Sequence, residues 1–496
     1  MNDNSERPDF QDQGGFATAN PPRLMRWATS RLLAYVASER RVTTRRAKSE
    51  AARRRRGAPH VVEYFHQVDD GYSHLAAQLL VPLIETYDIK LVCHLVPGPQ
   101  GKNAAEPDLL LPLSRYDAAK IAPHYGLTFP PDAGAPKPEQ VSLASQILAG
   151  LDDEDFAKVA PEVGDALWSE SDAALKTLAE TNPPTDAPTA EACTESGSAR
   201  RDQLGHYSGA MFHYGGEWYW GVDRLCHLEA RLTELGARRQ PVSTRSAHHQ
   251  PDSTRTDARH QPGATRTEGV SPSIAPARAR MIAPRPDTPT GPHKDTGTLT
   301  LETYPSIRSP YTAAAFDATV ALARETGVRL VVRPVLPMVM RGVPATRAKG
   351  VYIFTDAARE ARARGITDWG KFRDPIGNPV QRGYSLYPWA ASQGRGIEFI
   401  SAFLRAAFRE GVNTNTNRGL RHVVESAGLP WNEAAQIVDN DDWIPLIEAN
   451  RQAMYSFGLW GVPSFRLLNA EGEPLVHAWG QDRLWLIAKE IQRALG

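Results

Sequence analysis

Two landmarks occur twice in this chain, in the same order, and that repetition limits what it can fold into. Glu63-Tyr64-Phe65, running through Tyr72-Ser73 to Lys90-Leu91-Val92, is paralleled by Glu302-Thr303-Tyr304, running through Tyr311-Thr312 to Arg329-Leu330-Val331. Further on, Trp220-Gly221-Val222-Asp223-Arg224-Leu225 is paralleled by Trp479-Gly480-Gln481-Asp482-Arg483-Leu484. Each of these leads into an amphipathic stretch, the first closing at Gly236 and the second at Gly496. A tandem duplication is the economical reading, and 496 residues exceed one ordinary core. The halves are expected over residues 58–237 and 298–496.

Both halves carry the same coarse pattern. A short apolar strand leads through a loop into a helix, from Tyr72 to about Tyr87 or from Tyr311 to about Thr326. A second apolar strand follows, Leu91 to Val96 or Leu330 to Val335, which is the spacing of a parallel βαβ unit. About a hundred residues of mainly helical pattern come next. The second half then ends on a hairpin, Ser464 to Leu468 and Pro474 to Ala478 around Asn469-Ala470-Glu471-Gly472, and a helix.

The flanking segments read differently. Residues 1–20 are polar and expected to be unstructured. From Pro22 to about Ala52, Leu24, Trp27, Leu32, Tyr35 and Val36 sit at helical spacing among many arginines, and the run closes with Arg53 to Arg56. This N-terminal extension, residues 1–57, is either a solvated helix packed on a neighbour or a basic amphipathic one contacting an anionic surface or partner. Residues 238–297 read as a low-complexity, disordered linker, with a degenerate repeat at Gln240-Pro241, Gln250-Pro251 and Gln261-Pro262.

Composition excludes several function classes. Lys plus Arg balances Asp plus Glu, 57 against 57, which argues against a surface built wholly for nucleic acid. The three cysteines, Cys93, Cys193 and Cys226, have neither CxxC nor zinc-ligand spacing. No apolar run is long enough to span a bilayer, and no export signal is evident, so a cytoplasmic location is expected.

Four local motifs carry a family resemblance: Ser309-Pro310-Tyr311, Lys349-Gly350-Val351-Tyr352, Gly461-Val462-Pro463-Ser464-Phe465, and Trp479 to Leu484. With them, residues 300–495 resemble the 2-hydroxychromene-2-carboxylate isomerase and kappa-class glutathione transferase branch of the DsbA-like superfamily. The resemblance implies an α/β protein of two thioredoxin-like domains, each with a helical DsbA-type insertion, joined by the linker. It also implies glutathione as cofactor. Ser309 would then be the catalytic residue, steadying a thiolate at a helix N-terminus. Val462 and Pro463 would form a cis-proline edge for the cysteinyl backbone, and Lys349 would neutralise a glutathione carboxylate. Asp482, with Gln481 beside it, would hold the glutamyl end. An asparagine the family often carries nine residues before the lysine aligns with Met340.

The first half keeps the frame without the site. Asp70-Gly71-Tyr72 stands at the serine position, and Tyr207-Ser208-Gly209-Ala210-Met211 at the proline loop. An anionic Asp70 would compete with a thiolate for the helix start. The expected function is a glutathione-dependent isomerase or transferase for a small aromatic or electrophilic substrate, with Trp389, Trp443, Trp460 and Tyr387 as candidate pocket aromatics. The alternatives are a thiol–disulfide oxidoreductase homologue without CxxC, and a non-enzymatic interaction protein.

Overall fold

The structure, a computed structural model, describes residues 20–239, 281–343 and 345–496. The expected tail before residue 20 and the repeats of the linker lie outside the described residues. Two helices open the described chain, α1 (Arg23–Ala37) and α2 (Glu39–Arg55). The break between them is Ser38, whose extended backbone cannot continue α1 and whose Oγ accepts from Arg41 N–H to start α2.

The first half is built on β1 (His60–His66), α3 (Gly71–Ala77), α4 (Leu80–Thr86), β2 (Ile89–Leu95), β3 (Met211–Tyr214), β4 (Glu217–Trp220) and a closing α5 (Gly221–Glu234). The second repeats the scheme with β5 (Thr300–Tyr304), α6 (Pro310–Thr326), β6 (Arg329–Val332), β7 (Ser464–Leu468), β8 (Pro474–Trp479) and α7 (Leu484–Leu495). Each four-stranded sheet has the same order, β2-β1-β3-β4 and β6-β5-β7-β8. In each, the first two strands are parallel and the remaining pairings antiparallel. The central strands are rich in β-branched and aromatic residues, and nearly every side chain of β1 is buried. Helices fill the interval between the second and third strands of each half, as the pattern predicts.

Matching extends to individual charges. Glu63 on β1 pairs with Arg200 and lies 3.2 Å from His94 and 3.5 Å from His213. Glu302 on β5 likewise pairs with Arg333 and Arg466, both at 2.7 Å. His213 and Arg466 face these carboxylates from the neighbouring strand, at the same place in each sheet.

The halves share a core. One buried apolar cluster draws Tyr64, Leu228 and Leu232 together with Leu301, Phe465 and Trp485. Across the seam, Tyr116 stacks on His477 at 4.1 Å and Trp220 meets Trp479 edge-on at 6.1 Å. The segment just before the second half belongs to this packing too. Ile282 and Ala283 N–H groups donate to the fully buried Glu229, and Arg285 donates to Glu360. Residues 281–286, within the linker expected over 238–297, are therefore packed, and the Ile282 and Ala283 N–H groups are satisfied there.

The matched Asp-Arg pairs lie at the centre of the seam and cross it. Arg483 donates to Asp223 of the first half at 2.8 and 2.9 Å, and to Asp117 at 2.6 to 3.0 Å. Arg224 makes the reciprocal contacts, to Asp482 and to Asp356. Tyr72 donates to Asp117 and Tyr311 to Asp356, again in parallel. The glycine of each Trp-Gly pair takes a positive φ, 54° at Gly221 and 107° at Gly480, which turns the strand end into this network.

Both arginines are only 3% exposed, so removing one strands two buried carboxylates. Arg483→Gln should lower the unfolding free energy by about 3–5 kcal/mol in urea titrations at neutral pH. The exposed Arg493→Gln should change it by less than about 0.5 kcal/mol. Equal effects would show that the seam network is not buried.

Candidate functional site

A cavity of about 240 Å³ opens between the halves. The second half contributes Ser309, Lys349, Trp460 and Val462, and the first contributes Tyr72 and Tyr207.

Ser309 sits where the sequence places it, at the start of α6. It is the N-cap, accepting from Thr312 N–H at 3.2 Å, with Pro310 at the first helical position and Gly327 closing the helix at φ 77°. Its hydroxyl also donates to the Val462 carbonyl at 3.4 Å. That contact joins the helix start to the Val462-Pro463 loop, where the peptide bond is cis. The loop reaches this position because Gly461 lies against Trp479; a Cβ at Gly461 would meet the indole nitrogen at 1.9 Å.

Lys349 lies on the helix Arg347–Ala363, in the second half's insertion, and is 6% exposed. Its ammonium faces two aromatic rings, Tyr207 at 5.9 Å and Trp460 at 5.7 Å. Burial, with no compensating charge, brings its pKa down to about 8. Nearby, Tyr352 Oη and Trp460 Nε1 are buried with no hydrogen-bond partner among the described residues. His206, stacked on Tyr207, has an unpaired Nε2 and is held neutral by burial, which lowers its pKa to about 3. The wall around Lys349 is thus rich in donors and poor in acceptors, a setting suited to an anion.

Gln481 and Asp482 border the same cavity, but both are engaged. The Gln481 amide donates to Glu360 at 2.6 Å and its oxygen accepts from Arg364. Burial pushes the Asp482 carboxyl up, yet Arg224 and Arg483 outweigh it and hold the group below its ordinary range. Asp70 in the first half caps α3 through the Ser73 N–H and hydroxyl, both at 2.9 Å. Burial there pushes its pKa up to about 6, so it carries less than a full charge in mildly acidic solution. At the proline-loop position of the first half, Ala210 takes a φ of 54°. Of the candidate aromatics, Trp460 lines the cavity, whereas Tyr387 and Trp443 are buried in the second half's helical core and Trp389 packs against it.

Tyr207 and Tyr352 fall within motifs of the sequence but carry no site role there, and the carboxylates Asp117 and Asp356 are not singled out by it. A signal for the carboxylates existed: Tyr72 to Asp117 and Tyr311 to Asp356 are both 45 residues.

Residues 300–492 match the DSBA-like thioredoxin domain family. Among curated proteins nothing matches the chain. Among solved structures, a probable DsbA oxidoreductase from Streptomyces coelicolor is similar at 19% identity and TM-score 0.31, over 39% of this chain and 90% of that one. A 2-hydroxychromene-2-carboxylate isomerase is similar at 18% identity and TM-score 0.33, over 39% and 95%. The cytosolic disulfide reductase DsbM of Pseudomonas aeruginosa is similar at 20% identity and TM-score 0.31, over 40% and 100%.

The lowered pKa of Lys349 has a definite sign in stability. The unfolded chain keeps its proton up to about 10.5 and the folded one only to about 8, so stability rises with pH between them. Below pH 8 the full penalty of burying the charge is present. Lys349→Met should therefore be more stable than wild type at pH 7, by about 3 kcal/mol. The gap should close between pH 8 and 10.5, read from urea unfolding at each pH. A gap that stays constant over that window would contradict a depressed lysine.

Proposed function

We propose that the cleft binds glutathione and uses it in an isomerase or transferase reaction on a small aromatic or electrophilic substrate. The observation that carries this reading is Lys349, a buried cation facing aromatic rings, in the same cavity as a helix N-terminus. The donors left unpaired around it fit a carboxylate-bearing ligand. When bound, glutathione supplies a thiolate nucleophile.

The chain's residues prepare that chemistry. With Pro310 lacking an N–H and the Thr312 N–H given to Ser309, it is the positive dipole end of α6 that would favour a deprotonated thiol held there. The Ser309 hydroxyl can rotate from the Val462 carbonyl to donate to the sulfur while still accepting from Thr312. Lys349 would hold a carboxylate by a charge-assisted bond. Tyr207 closes this side from the first half, so the first half forms part of the binding wall. No cysteine stands at Asp70 or Ser309, so disulfide exchange through a protein thiol at those positions is disfavoured. The reciprocal ion pairs support descent of the two halves from a tandem duplication. An interaction protein is the second reading, favoured by the buried, helix-capping Asp70 at the first half's equivalent position.

Titration calorimetry of the full chain with glutathione should give saturable binding. Lys349→Met should weaken it roughly ten-fold or more, as for a lost charge-assisted bond. The thiolate absorbance of bound glutathione should titrate below the free thiol, and Ser309→Ala should move that titration up. Turnover near neutral pH should fall roughly ten-fold with it. Superimposable titrations would leave Ser309 as a helix cap, worth about 1 kcal/mol. An absence of binding would favour the interaction protein.

A further inference from the structure

The N-terminal helices have an unusual distribution of side chains. Helix α1 is clamped to the second half along one face. Leu33 and Ala37 join its core, Ser30 Oγ accepts from Asp374 N–H at 2.9 Å, and Arg362 donates to the Ala37 carbonyl at 3.0 Å. Helix α2 is clamped to the first half, where Arg46 makes two 2.8 Å bonds to Glu217. The pair is thus fixed to the body of the protein.

The opposite face of α1 is also apolar. Leu24 is 75% exposed, Trp27 46%, Leu32 47% and Tyr35 57%. At helical periodicity these four, with Ala28, lie on one side, turned away from Arg26, Ser30, Leu33 and Ala37. They are four of the seven large hydrophobic side chains exposed among the described residues, gathered on one helix. A helix apolar on two opposite faces is not finished by packing on its own protein.

Two cations lie against this face, with Arg31 on the same side of α1 between Trp27 and Tyr35. Arg31 lies over the Trp27 ring at 6.0 Å and Arg41 over the Tyr35 ring at 5.4 Å. Arg23, Arg40, Lys48, Arg55 and Arg56 are exposed along the same two helices, where Glu39 is the exposed acid. The chain as a whole has no net formal charge, so this concentration is local.

We propose that α1 and α2 form a docking surface for an anionic lipid membrane. The exposed Leu and aromatic side chains enter the headgroup boundary, and the flanking arginines meet lipid phosphates and carboxylates. Apolar insertion and a polybasic patch are two signals on one rigid unit, which is what reversible peripheral attachment requires. A nucleic acid would use the arginines but gain nothing from Leu24 and Leu32.

Flotation of the full chain with vesicles tests this. The protein should float with an equimolar phosphatidylcholine–phosphatidylserine mixture at low salt and stay behind with phosphatidylcholine alone. The double variant Leu24→Ser/Trp27→Ser should lose flotation while keeping its circular dichroism, because both side chains are exposed. Arg31→Gln and Arg41→Gln should each weaken binding about five-fold. Failure to float with the anionic vesicles, or flotation unchanged in these variants, would overturn the proposal. So would duplex DNA bound more tightly than vesicles and indifferent to Leu24→Ser/Trp27→Ser. A dimer in sedimentation equilibrium that this double variant dissociates would assign the face to a second copy instead.

Discussion

The two buried arginines that exchange partners across the seam, Arg224 and Arg483, fix how the halves of this protein meet. Each is held by an aspartate of the opposite half's strand-to-helix turn and by a second aspartate on an insertion helix. In the first arrangement that second aspartate, Asp356, lies across the seam; in the other, Asp117 does. Dehydrating these charges makes the network a poor source of net stability. Its geometry is demanding, however, because a slip of the halves would leave several buried charges unpaired at several kcal/mol each. Apolar contacts such as Phe465 against the common core supply cohesion, and the ion network supplies register.

That register makes the cleft. Asp482 and Gln481 stand at its edge while their side chains are committed to Arg224 and Glu360. Tyr207 can oppose Lys349 and Trp460 only with the first half seated as it is. In the first half Asp70, a carboxylate, occupies the N-cap of the corresponding helix start. That half forms a wall of the neighbouring cavity. The buried lysine fits this division: a cation left among aromatic rings is unfavourable alone, and a carboxylate ligand would relieve it.

Much of the fold was legible because periodicity and local turn chemistry encode it. Ser309-Pro310 before α6, the hairpin around Asn469 to Gly472, and the two Trp-Gly turns follow from rules that act within a few residues. The site was legible less evenly. Ser309, Lys349 and Val462 line the cleft, and Pro463 follows Val462 in the cis-peptide loop beside it. The partners of Asp482 were not foreseen, since ion pairs such as Arg224 to Asp482 join residues 258 positions apart. Tyr207 stands in the sequence only as part of a loop that lacks the proline, and its place opposite Lys349 depends on how two folded halves dock. The linker's packed end, with Arg285 reaching Glu360, escaped notice because composition alone describes a polar segment's surroundings poorly.

The shared cleft is tested most directly by hydrogen exchange of the full chain with and without saturating glutathione. Slowed exchange is expected on both sides of the cavity, in peptides containing Tyr207 and Trp220 as well as those containing Ser309, Lys349 and Val462. Protection confined to the second half would contradict a site built jointly by the two halves.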